Sequence, residues 1–500
     1  MWYIDMRING LSCKWNTSSR DENPFFRYCR NFRILLSKEG NIMNLFRTKS
    51  LSSFTGDAKK EKLAKNMGAL DMILLGVGCI MGTGIFVFTG VVAAKYAGPG
   101  IVVSLLLSAI ACVFCALCYS EMASTIPFAG SAYTYSYTTM GELMAWIVGW
   151  SLILEYSLAA SLVAAGWSAY MTGLFKSAGI ELSRAFTAVA ADGGIVNVPA
   201  ILILLFLTIL LVRGTKESAN MNKILVAIKL LAVFIFLFLA GPKVNATNWS
   251  PFLPFGFSGV MTGAATMFLA YIGFDCVATA AEECKNPNRD LPIGIIGSLA
   301  ICAVLYISVA AVLTGVIPYQ ELNNAEPVAF ALRQIGYNMG SALVGTGAIA
   351  GLTTVLLAVM YGQSRIFFAM SRDGLIPASI CKIHPKYGTP HIITIISGII
   401  VSVIAGLTPV DVLAELVNIG TLFAFFATAV GVLVLRKTSP NLHRPFRCPA
   451  VNFVAPAAII CCAYLMYSLP IQTWIRYSVW LAVGLVIYFV YGYRNSILEK

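Results

Sequence analysis

Two glycine-rich interruptions and two lone charges carry most of the chemistry available to this sequence. The first interruption is GVGCIMGTGIF (76–86), with glycines at 76, 78, 82 and 84 and Thr83 among them. Glycine costs about 0.8–1 kcal/mol relative to alanine in a helix interior, so four within nine residues favour a locally unwound segment. Unwinding frees backbone N–H groups beside a resumed helix, whose partial positive charge suits a carboxylate. Close packing of helices across small residues explains the same glycines equally well. A dinucleotide-binding loop does not, because no strand or βα unit surrounds the motif. The second interruption is GAATMFLAYIGFDCVATAAEE (263–283), where Gly273 follows Tyr271 and Ile272, and Asp275 stands inside an apolar stretch. A break at Gly273 turns carbonyls inward at the end of a half-helix, where they attract an ammonium group. Together the two breaks describe a site for a molecule carrying both charges, as an α-amino acid does.

The lone charges are Lys229 and Glu155. Lys229 lies roughly 12 Å along its helix from the nearer membrane interface. An ionised lysine at a membrane helix centre costs about 2.5–3.5 kcal/mol on translocon scales, so it marks a functional position unless its stem snorkels to the surface. Glu155, in GWSLILEYSLAAS (149–161), either neutralises a cationic ligand or stands protonated and hydrogen-bonded between helices. Asp275 either caps the second half of its broken helix or relays protons, and the cap is the favoured reading. Glu282, Glu283, Lys285 and Arg289 cluster after it and read as solvated loop charge ahead of gate ion pairs.

These residues must be held by an all-α membrane scaffold. Of 500 residues, 58% are hydrophobic and 12% charged, far from the roughly 25% charged typical of soluble domains. Apolar runs near the ~20 residues needed to cross hydrocarbon recur near 72–94, 100–124, 141–171, 196–212, 219–240, 259–282, 291–317, 341–370, 390–407, 410–435, 450–469 and 473–493. They are too long and too uniformly apolar for barrel strands, so twelve transmembrane helices are predicted, numbered here as spans 1 to 12. Residues 1–42 are polar and read as a non-native or disordered extension ahead of a start at Met43; 43–70 form a leader and 71–500 one transporter domain. The net charge of +12 reflects loop Lys and Arg, not nucleic-acid binding. From Met43 onward 21 of them fall on one side and six on the other, which places both termini in the cytoplasm.

Several signals carry little. Cys112, Cys115 and Cys118 make a C-x2-C-x2-C run inside apolar span 2, where thiols serve as small hydrophobes. His384, His391 and His443 show no metal spacing, and neither a nucleophile with its base nor a metal cluster appears within the spans, so no enzyme, metal or cofactor is expected.

The two breaks, with YSEMASTIPFAGSAYTYSY (119–137), RGTKESANMN (213–222), AAEECKNPNRDLPIGI (280–295) and MSRDGLIP (370–377), make the chain resemble the amino acid/polyamine/organocation superfamily, and within it the bacterial relatives of cationic amino acid transporters. The likeness runs from about Gly68 to Tyr493. It implies a LeuT-type five-plus-five inverted repeat with two extra helices, and substrate bound between spans 1, 3, 6, 8 and 10. It implies carboxylate contacts from the backbone of Ile80, Gly82, Thr83 and Gly84, and amine contacts from the carbonyls of Leu269, Ala270 and Ile272. Relatives often carry an aromatic gate residue where Leu269 stands. Glu155 aligns with an acidic residue facing the substrate side chain, and Lys229 with the lysine that replaces a sodium ion, which implies proton coupling. The expected function is alternating-access amino acid transport across the cell membrane, with an exchanger, a sensor or a channel on the same fold as the alternatives.

Overall fold

The computed structural model describes residues 47–49 and 67–498, except 129, 214–218, 282–283, 325, 386 and 388. Residues 48–500 form one compact unit; the other, Met1–Arg47, is described only at Arg47. The expectations for residues 1–42, for most of the leader and for Glu282 and Glu283 therefore lie outside the described residues.

Among the described residues there are only helices, turns and isolated bridges, and the helices make twelve passes. Span 1 is split into Ala69–Ile80 and a second half from Gly84 to Ala97, and span 2 is Ile101–Thr125. Spans 3, 4 and 5 are Glu142–Ser177, Val198–Arg213 and Ala219–Ala240. Span 6 is split between Gly256–Met267 and Cys276–Thr279, and span 7 is Pro287–Val316. Spans 8 to 11 are Asn338–Arg372, His391–Leu407, Val410–Thr438 and Val451–Tyr467, and span 12 begins as Ile471–Ile487. Span 3 continues six residues past the predicted 171, and spans 1 and 6 are interrupted at the breaks. Spans 3 and 8, with 36 and 35 residues, reach about 50 Å at 1.5 Å per residue, well beyond a ~30 Å hydrocarbon core.

Each of the first four spans packs against the one five places later: 1 on 6, 2 on 7, 3 on 8 and 4 on 9. That pattern is what two five-helix repeats interlocked across a common centre would produce. Large apolar side chains that no helix covers point outward, as lipid requires: Leu202, Phe206 and Ile209 on span 4, and Leu231, Phe234 and Phe238 on span 5. Span 12 is tied to span 3 by two indoles. Trp150 and Trp480 stack at 4.5 Å between ring centroids, and each indole N–H donates to the other's backbone carbonyl.

Candidate binding site at the two breaks

Span 1 stops being a helix at Met81, where ψ swings to +82°, and Gly82 turns back to donate its N–H to the Ile80 carbonyl at 2.8 Å. The Tyr306 hydroxyl from span 7 donates to that same carbonyl at 2.7 Å, so the exposed end of the first half-helix is satisfied by a side chain rather than by lipid. The helix resumes at Thr83 and begins as a widened π turn, Gly84–Phe88. Its first amides face the break, at the positive end of the second half-helix.

Span 6 tightens into a 3-10 turn, Phe268–Tyr271, then runs extended at Ile272 and reverses at Gly273, whose φ is +124°. Only glycine takes that conformation without strain, and here it is needed twice over. A Cβ on Gly273 would lie 2.9 Å from the Cys79 carbonyl carbon and 3.0 Å from the Ile80 nitrogen. Likewise a Cβ on Gly84 would lie 2.6 Å from Ala270 Cα. The glycines of both breaks therefore let the two backbones touch. The packing explanation of these glycines and the unwinding explanation are both correct.

The contact leaves a cavity beside it. Ile80, Gly82, Thr83 and Gly84 line it from span 1, and Leu269 and Ile272 from span 6. Ala270, expected among them, packs behind against Gly84 and is not part of the lining. The Leu269 carbonyl also accepts the Ile272 N–H, at 3.3 Å. Ala159, Leu162 and Val163 of span 3, Val355 and Val359 of span 8 and Val417 of span 10 make the opposite wall aliphatic.

Two buried carboxyls also line the cavity, Glu155 from span 3 and Asp275 from span 6. Glu155 lines the cavity with Oε2 lacking a hydrogen-bond partner among the described residues, and its Cβ side faces Gly420, where no larger residue would fit easily. Asp275 also lines it. Its Oδ2 accepts the Tyr156 hydroxyl at 3.3 Å, while Oδ1 has no such partner. Asp275 stands at the N-cap position of Cys276–Thr279 but makes no side-chain cap bond, which corrects the capping expectation. The four-residue helix is too short to orient one, and the carboxyl turns toward the cavity.

Lys229 is fully buried and does not snorkel. Its stem lies along Gly351 of span 8, and Nζ donates to the carbonyls of Gly78 at 2.5 Å and Met81 at 3.4 Å. Those are carbonyls that the break in span 1 leaves without helical partners of their own. The lysine thus joins spans 1, 5 and 8 just outside the cavity.

The aliphatic wall escaped the sequence reading, although its signal was present. Glu155, Ala159, Leu162, Val163 and Gly166 recur at helical spacing and share one face of span 3. In a helix apolar on all sides, that face does not stand out. The cysteine run behaves as small hydrophobic packing, with Cys115 Sγ 3.5 Å from Cys462 Sγ of span 11.

The sequence profile of a family described as amino acid permease matches residues 67–491. The methylthioribose transporter of Bacillus subtilis (strain 168) is 45% identical over 461 residues, covering 92% of this chain and 100% of the relative. The branched-chain amino acid permease BcaP of the same organism is 47% identical over 465 residues, covering 91% and 99%. The vacuolar cationic amino acid transporter 4 of Arabidopsis thaliana is 38% identical over 389 residues, covering 76% of this chain and 64% of its own.

Proposed function

Because this chain belongs to the amino acid permease family and is a multi-pass amino acid transporter rather than an enzyme, we propose that it is a secondary transporter of the cell membrane that works by alternating access and is driven by protons. The observation that carries the reading is the contact between the two breaks, which sets helix-start amides and half-helix carbonyls around one cavity. The substrate α-carboxylate is placed on the backbone of Thr83 and Gly84, flanked by Ile80 and Gly82, and the α-ammonium on the carbonyls of Leu269 and Ile272. Both termini are placed in the cytoplasm on the strength of the basic-residue asymmetry.

The aliphatic wall supports neutral substrates with branched apolar side chains, in keeping with the name of the permease BcaP. The unpartnered Glu155 oxygen supports a second reading, in which cationic side chains are also tolerated. Competition against labelled leucine by a panel of valine, isoleucine, alanine, arginine and lysine separates the two. Glu155→Gln abolishes inhibition by arginine and lysine only if the second is right.

Proton coupling is assigned to Lys229. Protonated, its amine donates charge-assisted hydrogen bonds to the Gly78 and Met81 carbonyls and holds span 1 on spans 5 and 8; neutral, it keeps two N–H donors but loses the charge that strengthens both ties. Lys229→Met keeps the stem and deletes the charge. In proteoliposomes under an imposed pH gradient, this variant is expected to lose accumulation of labelled amino acid while retaining exchange. Intact pH-driven accumulation would refute the assignment. Flux that is linear in concentration and indifferent to the gradient in the native protein would instead indicate a channel, and binding without flux a sensor.

A further inference from the structure

Two buried acidic residues lie where the C-terminal segment packs on spans 3 and 8, and that segment hydrogen-bonds both: the carboxylate of Glu142 and the backbone carbonyl of Asp373. Asp373 ends span 8 in the motif SRDG and is 2% exposed. Its Oδ1 pairs with Lys49 Nζ at 2.8 Å and its Oδ2 accepts the Tyr133 hydroxyl at 2.7 Å. Its backbone carbonyl accepts the N–H of Ile497 at 3.1 Å. Next to it, Gly374 (φ +81°) leaves only 2.2 Å between an added Cβ and the Asn495 carbonyl oxygen, so the tail lies directly on the turn after span 8.

Glu142 opens span 3 and is fully buried. Its Oε2 accepts hydroxyls from Tyr137 at 2.9 Å and Ser496 at 2.5 Å, and its Oε1 accepts the Tyr488 hydroxyl at 3.0 Å. Tyr488 and Ser496 are themselves 0% exposed, although both lie in the last thirteen residues of the chain. The segment from Tyr488 to Ile497 therefore bridges the start of span 3 and the end of span 8, while Lys49 pairs with the Asp373 side chain.

We propose that the C-terminal segment is a working part of the inner gate, with Ser496 and Ile497 as positioning residues that hold the end of span 8 on the start of span 3. The tail is thus a brake on opening toward the face that carries the termini. This rests on the alternating-access reading for its role in transport, but the brake itself can be observed without transport.

Two cysteines of the cavity wall, Cys79 and Cys276, are buried and report access to it. A membrane-impermeant maleimide is presented to vesicles from the terminus side, and its rate of attachment at Cys276 is read by peptide mass spectrometry. Ile497→Pro removes one N–H from a half-exposed residue, Ser496→Ala removes one hydroxyl, and Ser496→Thr restores it. Loss of one hydrogen bond predicts roughly a two- to tenfold faster rate in the first two variants and a native rate in the third. Native rates in both Ile497→Pro and Ser496→Ala, in protein that still binds substrate, overturn the proposal. Faster labelling in a protein that shows no amino acid flux upholds the brake and refutes the transport reading instead.

Discussion

Replacing Gly273 by alanine tests whether the two breaks form one site. The substitution acts at a residue with φ of +124°, where an L side chain adds about 1–2 kcal/mol of backbone strain. Its Cβ would also stand 2.9–3.0 Å from three backbone atoms of Cys79 and Ile80, which cannot rotate away as a side chain would. Overpacking of that kind costs about 1–3 kcal/mol, so the total is about 2–5 kcal/mol. The strain is relieved by moving the two breaks apart, and that movement displaces the amides proposed to bind the carboxylate from the carbonyls proposed to bind the ammonium group. Amino acid affinity, measured by equilibrium binding to purified protein, is therefore expected to fall by about 30-fold or more, with 1.4 kcal/mol counted per tenfold. Gly345→Ala in span 8 is the control, because a Cβ there meets nothing within 4 Å and alanine favours a helix. Affinity in Gly273→Ala within threefold of native, in a protein as stable as the control, would show that the breaks do not have to touch for binding.

Two further substitutions separate strong charge pairs from weak ones. Glu121 is buried, and it holds the guanidinium of Arg436 at 2.6 Å, that of Arg444 at 3.4 Å and the Cys448 N–H at 2.8 Å. Glu121→Gln leaves two cations facing each other, so a loss of about 3–5 kcal/mol is expected in denaturant unfolding, and a loss below about 1 kcal/mol contradicts the argument. Lys95 and Asp411 lie 3.6 Å apart at the opposite end of the molecule, with side chains 38% and 69% exposed. Lys95→Ala should shift stability by less than about 1 kcal/mol and leave the rate of exchange unchanged, and a several-fold change in exchange would give that pair a gating role.

The scaffold was legible because lipid imposes a length and a composition that each span must satisfy alone. The breaks were legible for a related reason: glycines accumulate where a helix must stop, and that signal is local. What the glycines touch is not local. Gly273 meets Cys79 and Ile80 nearly two hundred residues away, and Ala270 turned out to fill the space behind Gly84 rather than the cavity. The valines at 355, 359 and 417 looked like any other membrane-helix residues until folding gathered them on one wall. Asp275 was misjudged because its position in the sequence is that of a cap, whereas the helix after it has only four residues. Lys49 and Asp373 lie 324 residues apart, and nothing in either neighbourhood announces the other. Likewise Tyr488 and Ser496 read as the ordinary end of a last helix, yet they are as deeply buried as any residue in the protein.

The indole clasp between Trp150 and Trp480 has an optical consequence. Two aromatic chromophores held at 4.5 Å with 14° between their planes couple their excited states, and that coupling has a handedness visible in near-ultraviolet circular dichroism. Because each ring is also tied by its N–H to the other strand of the clasp, spans 3 and 12 can part only by breaking both bonds at once. The band should therefore survive unchanged when substrate or a proton gradient is added, and disappear in Trp480→Phe. On the alternating-access proposal, the pair marks out the part that stays still relative to itself.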